Sequence, residues 1–186
     1  MEPRSVKSGP GRSRHDKPLV GTSACLLGEP VRYDGQAKRS VTVAEELSRH
    51  VALRRYCPEV GIGLPVPRPP IQLVRFADGV RVRGVEQPDE DYTAALTDHA
   101  DSVTEPLCGF VLKARSPSCG LGTTPLFDRH DREIDTTSGA FAARIRERFP
   151  EMPLCDEEDL EDPDFLREFI RRVYLYRDAF GVLGRR

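Results

Sequence analysis

The sequence predicts an α/β domain built on a mostly parallel sheet flanked by helices. Three observations predict it: compact apolar runs that read as buried strands alternate with segments of helical period, long turn-rich loops follow the runs, and the chain has the length of one core. With 186 residues it can bury roughly 70% of its unfolded surface, enough for a core without staples. Hydrophobic residues at 38% and charged residues at 31% are the balance of a folded globular chain, not of a disordered one. No apolar run approaches the ~20 residues of a membrane span, so no membrane partner is expected. A formal net charge of -2 argues against a globally basic nucleic-acid binder.

Residues 1 to 17, MEPRSVKSGPGRSRHDK, lack the apolar stretch of a secretory signal and are expected to be a disordered tail; residues 18 to 186 form a single domain. Pro18 to Ala24 reads as a first strand running into a loop at Cys25. The loop contains Gly28, Pro30 and Asp34-Gly35. The Thr42 to Glu45 capping box, with Val43, Leu47 and Val51 at helical spacing, predicts a helix over 43 to 55. Four prolines and two glycines predict no regular structure from Pro58 to Pro70. Alternation of apolar and polar residues around Asp78-Gly79 predicts an inserted β-hairpin. A helix over 91 to 104 leads to CGFVLKA, a buried strand whose end meets SPSCG. Phe141, Ile145 and Phe149 mark a helix capped near Ser138, MPLC a short strand, and Asp162-Pro163 the start of a last helix over 163 to 180. Together these elements predict a three-layer, Rossmann- or flavodoxin-like arrangement, in which functional loops follow the carboxyl ends of strands.

Five cysteines, odd in number and widely spaced in a chain without an export signal, disfavour a disulfide framework and suit the reducing cytoplasm. Cys25 and Cys119 each follow a predicted strand end, and Cys57 lies at a similar edge; Cys108 and Cys155 read as packing. Gly, Pro and Ser surround the three loop cysteines, which lets backbone approach a compact object closely. Soft thiolates select zinc or iron-sulfur clusters, and the paired C-x2-C spacing of structural zinc is missing. Spacing alone leaves three readings open: small core cysteines beside turns, a zinc site with an open position, or a cluster with one iron free of protein. The histidines, His15, His50, His99 and His130, share no metal-ligand spacing.

Ser23-Ala-Cys25-Leu-Leu-Gly28, Arg32-Tyr-Asp-Gly35, Cys57-Pro-Glu59, Gly63-Leu-Pro65, Pro67-Arg-Pro-Pro70, and Lys113 with Ser116-Pro-Ser-Cys-Gly120 resemble, in order, the signature blocks of the TudS thiouracil desulfurase family. The resemblance implies a [4Fe-4S] cluster held by Cys25, Cys57 and Cys119, with catalytic roles for Glu59 and Ser116. Many relatives carry a further cysteine where this chain has Val31, a position outside the implied ligand set. Leu160 to Tyr174 is similar to the segment that joins this domain to a second one in longer relatives acting on thiolated tRNA. Since the chain stops at Arg186, a free base or nucleotide is the expected substrate ahead of a tRNA.

The chemistry expected of such a site is hydrolytic. A thiocarbonyl sulfur is a soft donor suited to an open iron, whose Lewis acidity exposes the attached ring carbon to water. Glu59, two residues from Cys57, would act as base for the water or acid toward the ring nitrogen, and Ser116 would position water or ring. Sulfur leaves as sulfide, and the oxo base forms without net redox change. Arg32, Asp34, Lys38, Arg68, Lys113 and Ser118 lie in the same blocks as candidate substrate contacts, the cations for a phosphate. The rival classes are a non-catalytic iron-sulfur carrier, needing a fourth thiolate from Cys108 or Cys155, and the open-site zinc hydrolase.

Overall fold

A computed structural model describes residues 17–180. The expected tail lies outside the described residues except for Lys17, whose ammonium donates to the carbonyl of Ser48 at 2.9 Å. Strands β1 (Leu19–Ser23), β2 (Ala52–Tyr56), β5 (Gly109–Leu112) and β8 (Leu154–Asp156) form one sheet in the order β2-β1-β5-β8. Every pairing in it is parallel. Strands β3 (Ile71–Phe76), β4 (Gly79–Gly84), β6 (Thr124–Phe127) and β7 (Glu133–Thr137) form a second sheet, β4-β3-β6-β7, parallel only at β3 and β6. The predicted hairpin is thus β3–β4, and it is half of a mixed sheet rather than an isolated insertion.

Side-chain alternation along the central strand sorts the core into layers. Phe110 and Leu112 of β5 face Phe141, Ile145 and Ala100, the apolar faces of α2 (Thr93–Asp101) and α3 (Ala140–Arg148). Val111 and Val20 face the other way, onto Phe169 and Val173 of α4 (Pro163–Phe180) and onto Val43 and Leu47. Helices therefore cover both faces of the parallel sheet, the three layers expected. On its outer side α2 offers Leu96 to Leu73, Val82 and Leu126 of the second sheet. No described helix is long and apolar enough to cross a membrane.

Two local expectations change. The predicted helix over 43 to 55 is a π-turn, Thr42–Glu46, running into a 3-10 turn, Leu47–Arg49, and then β2. Its cap comes earlier than the capping box suggests: the Ser40 hydroxyl accepts from the Val43 N–H at 3.2 Å, while Thr42 donates to Glu161 at 3.1 Å. Val51 is buried as the helical period requires, but at the entry to a strand. In the Pro-rich stretch, Pro58–Gly61 forms one helical turn, α1, with Pro at a first-turn position where a missing N–H costs nothing. By contrast α4 starts as the sequence predicts, Asp162 accepting from the Asp164 N–H at 2.8 Å.

Close packing at the centre of the sheet depends on Gly21 of β1. A Cβ there would lie 2.6 Å from the Phe110 ring, whose edge occupies the space. Gly21→Ala must therefore displace Phe110, at the ~1–3 kcal/mol typical of overpacking. We expect its thermal midpoint to fall by roughly 3–10 °C; an unchanged midpoint would show that the ring moves freely.

Candidate active site

Parallel pairing brings the carboxyl ends of β1, β2, β5 and β8 to one edge of the sheet. β1 is the switch point: the chain moves outward to β2, then returns to place β5 on the other side, which opens a crevice at the strand ends. Cys25 stands in the 3-10 turn Ala24–Leu27 directly after β1, Cys57 directly after β2, and Cys119 in the loop after β5. All three line one cavity of about 450 Å³, together with Glu59, Ser116 and Lys113.

Each cysteine loop is fixed by backbone. The Cys25 carbonyl accepts from Gly28 at 3.2 Å and Lys38 at 3.0 Å, with Gly28 at φ +93°, and this folds the first loop back over its own start. The Cys57 carbonyl accepts from Gly61 at 2.8 Å across α1, and its thiol donates to the Val31 carbonyl at 3.8 Å. Around Cys119 the Ser116 hydroxyl accepts from the N–H groups of Ser118 (3.3 Å) and Cys119 (3.2 Å). The entry to α3 clamps the same loop: Gly139, Ala140 and Ala142 donate to the carbonyls of Gly120, Pro117 and Ser118 at 2.8, 3.1 and 3.1 Å. Gly139 permits that approach, since a Cβ would meet Ser118 backbone at 2.5 Å.

Burial pushes the Cys25 thiol up to about 11, and the charge of Cys57 adds to it. Cys119 is raised well above its ordinary value by burial, opposed by a hydrogen bond from Ser23 and reinforced by Cys25 and Cys57. Cys57 is raised by burial too. Cys25 feels the charge of Cys57, and Cys119 feels both, so joint ionisation of the three is disfavoured without a compensating cation. Among the described residues no group of three or more His, Cys, Asp or Glu side chains is arranged to hold a single metal ion. Three soft donors that line one cavity are of the chemistry that ligates an iron-sulfur cluster.

The carboxylate of Glu59 lies between two loops. Its Oε2 receives the Arg68 guanidinium at 2.7 Å, and its Oε1 accepts from the Ser118 hydroxyl at 2.9 Å. Arg68 is buried, its side chain 3% exposed, and also donates to the carbonyls of Pro65 (3.1 Å) and Val31 (3.0 Å). Of the expected substrate contacts, Arg68 and Ser118 are thus turned toward Glu59. Lys113 pairs with Glu157 and donates to the Ala114 carbonyl at 3.0 Å. Arg32 meets Asp34 at 3.4 Å, and Asp34 accepts from Gln36 at 3.0 Å in a turn that, with Arg32, holds its carboxyl below the usual range. Arg32, Asp34 and Lys38 all line the cavity. His99 packs against Phe141 and Gly61, burial lowers its pKa, and no metal role follows from its place.

Sequence reasoning missed three residues here. Ser23, buried at the end of β1, accepts from the Lys113 N–H at 3.0 Å and donates toward Cys119. Glu157 accepts from the Ala114 N–H at 2.6 Å as well as holding Lys113. Asp156 accepts from the Leu121 N–H at 3.1 Å and the Thr123 hydroxyl at 2.7 Å, fastening the exit of the Cys119 loop to β8. The one signal available was position: both carboxylates follow the short MPLC strand, at the same sheet edge as the cysteines.

A doubly covered parallel sheet whose carboxyl edge gathers three thiols, a carboxylate and a hydroxyl around a ligand-sized cavity is an α/β enzyme scaffold with a thiol-rich centre. The chain belongs to the 2-thiouracil desulfurase family, whose profile matches residues 20–157. A solved structure titled a [4Fe-4S]-dependent thiouracil desulfidase, TudS, is similar to it at 30% identity and a TM-score of 0.64, over 82% of this chain and 97% of that one. No curated protein matches.

Asp156 gives the site edge a pH dependence. It is 3% exposed, and burial raises its carboxyl from 3.8 to about 6 against the donors Thr123 and Leu121. A carboxyl whose folded pKa is raised contributes stability that is full below its unfolded pKa and lost as pH rises through the folded value. Asp156→Asn cannot ionise, so relative to the natural chain it should gain up to about 3 kcal/mol between pH 4 and pH 8. Denaturant unfolding of both proteins across that range checks it; a difference that does not change with pH contradicts it.

Proposed function

We propose that the chain removes sulfur as sulfide from a thiolated uracil, giving the oxo base, on a [4Fe-4S] cluster held by Cys25, Cys57 and Cys119. The observation that carries this reading is the convergence of those three thiols with Glu59 and Ser116 on one cavity, in a chain whose family profile spans residues 20–157. When bound, a cluster held at three corners supplies one iron as a Lewis acid for a soft thiocarbonyl sulfur. Glu59 accepts the proton of the attacking water or returns one to the ring nitrogen, and Ser116 orients water or ring through its hydroxyl. The burial of Cys119 and Ser118 behind this wall restricts access of bulk water from that side.

The rival readings fit the geometry less well. A cluster carrier needs a fourth thiolate, and Cys108 and Cys155 are buried in the core and do not line the cavity. A zinc hydrolase needs ligands closing on one ion at about 2.3 Å from each sulfur, and the described residues offer no such group. All five cysteines are free thiols, which fits a reducing cytoplasm.

A small thiouracil-type substrate fits a cavity of about 450 Å³. For a nucleotide, Lys38 is the suited phosphate contact: it is exposed, lines the mouth, and has no ion-pair partner among the described residues. Thiolated tRNA, whose bulk must pass the same mouth, is the less suited source of the base.

Anaerobic reconstitution should give a brown protein with about four irons and four sulfides per chain, releasing one sulfide per uracil formed from thiouracil, or per uridine monophosphate formed from 4-thiouridine monophosphate. Replacing Cys25, Cys57 or Cys119 by Ser should lose the cluster, and replacing Cys108 or Cys155 should not. A colourless zinc protein, or a loaded one that releases no sulfide, defeats the reading. Glu59→Gln should keep the iron and lose about 10²-fold or more in kcat; near-normal turnover removes Glu59 from the chemistry. Lys38→Ala should raise KM for the monophosphate about tenfold, one lost charge-assisted contact, and leave KM for the free base as it was. Equal effects on both would place the phosphate elsewhere.

A further inference from the structure

Resting on the desulfurase reading, we propose that Arg68 is a positioning residue that commits one oxygen of Glu59 and leaves the other as the reacting one. A carboxylate offers roughly four acceptor sites, two on each oxygen. Arg68 donates from Nε to Oε2 at 2.7 Å and brings Nη2 within 2.7 Å of the same atom, so the guanidinium covers that oxygen. Ser118 takes one site on Oε1 at 2.9 Å. A second site on Oε1, the oxygen away from the guanidinium, takes no hydrogen bond among the described residues, and Glu59 lines the cavity.

The clamp is rigid because both holders are anchored. Ser118 is fully buried, its N–H donates to Ser116 and its carbonyl accepts from Ala142 at the head of α3. Arg68 is pinned by the carbonyls of Pro65 and Val31, and its own N–H donates to the Tyr33 carbonyl at 2.9 Å. A planar guanidinium can satisfy an acid and two carbonyls at once because its donors point in a fixed fork; an ammonium on a flexible stem cannot. The water or ring proton therefore meets Oε1 in one orientation.

The test uses the anaerobically loaded protein and two variants. Arg68→Ala should keep the iron content and the visible spectrum of the natural protein, hold KM within about twofold, and lose about 10²-fold in kcat, the scale of a misplaced catalytic group. Guanidinium chloride at millimolar concentration should restore at least tenfold of that loss by refilling the site beside Oε2, and methylammonium should not. Arg68→Lys keeps the buried charge and covers the case in which the alanine variant does not fold: iron retained, kcat down about tenfold, KM unchanged. The positioning role is overturned by full kcat in either folded variant, by a loss of activity that only tracks a loss of iron, or by no recovery with guanidinium. A natural protein that releases no sulfide defeats the desulfurase reading itself. A natural protein that turns over beside an equally active Arg68→Ala defeats the positioning role alone.

Discussion

The buried ion pair between Arg68 and Glu59, extended by Ser118, is the constraint on which the site depends. Arg68 reaches the Val31 carbonyl in the Cys25 loop, Glu59 stands two residues beyond Cys57, and Ser118 precedes Cys119. One network therefore ties together all three loops that carry the thiols. Loops rich in Pro and Gly have no ladder to hold them, and loop closure opposes their convergence. A buried pair supplies part of what the ladder does not: removing one partner leaves the other charge uncompensated, at roughly 3–5 kcal/mol, while a cluster held by the three thiols would tie the same loops without it. The thiol of Cys57 adds a second tie to the same Val31 carbonyl.

The sheet decides where this can happen. Because β1, β2, β5 and β8 all run in one direction, every strand ends at the same edge and every following residue is delivered there. Cys25, Cys57 and Lys113 arrive from the strand ends, and Asp156 and Glu157 arrive from β8 to fasten the neighbours of Cys119 and Lys113. Burial of three neighbouring thiols raises the pKa of each and is unfavourable to their ionised forms. The arrangement makes sense for a cationic guest that turns the same proximity into ligation.

Much of this was legible in the residues, and what was not has physical reasons. β1, β5 and α4 could be read because their signals are local: an apolar run ending in a turn, and an Asp-Pro cap before a periodic face. The three site cysteines stood out for their Gly, Pro and Ser surroundings and for the strand ends before them. The helix expected over 43 to 55 gave way to β2 because parallel pairing with β1 outweighs the local period once Ala52 to Tyr56 can bond along the whole of Leu19 to Ser23. The second sheet was hidden for the same reason: β6 joins β3 by a parallel pairing across about fifty residues of chain, and β7 is polar and mostly exposed. Asp156 and Glu157 open the acidic run DEED, which carries no sequence signal for a site, and only the fold shows them turned inward onto backbone N–H groups.

On the proposed desulfurase reading, the division of labour between Glu59 and Ser116 follows from counting what each has left to offer. A serine hydroxyl accepts at two sites and donates once. The N–H groups of Ser118 and Cys119 take both acceptor sites of Ser116, so only its proton is free to leave the turn. It can hold the oxygen of a water or an acceptor atom of the ring, and it cannot act as a base. Glu59 is the reverse case, a carboxylate with one acceptor site open on Oε1 and nothing to donate while ionised. On that reading a water oxygen held by the Ser116 proton would keep its own hydrogen for Glu59, and the turn that shapes the Cys119 loop is also what confines Ser116 to the donor's part.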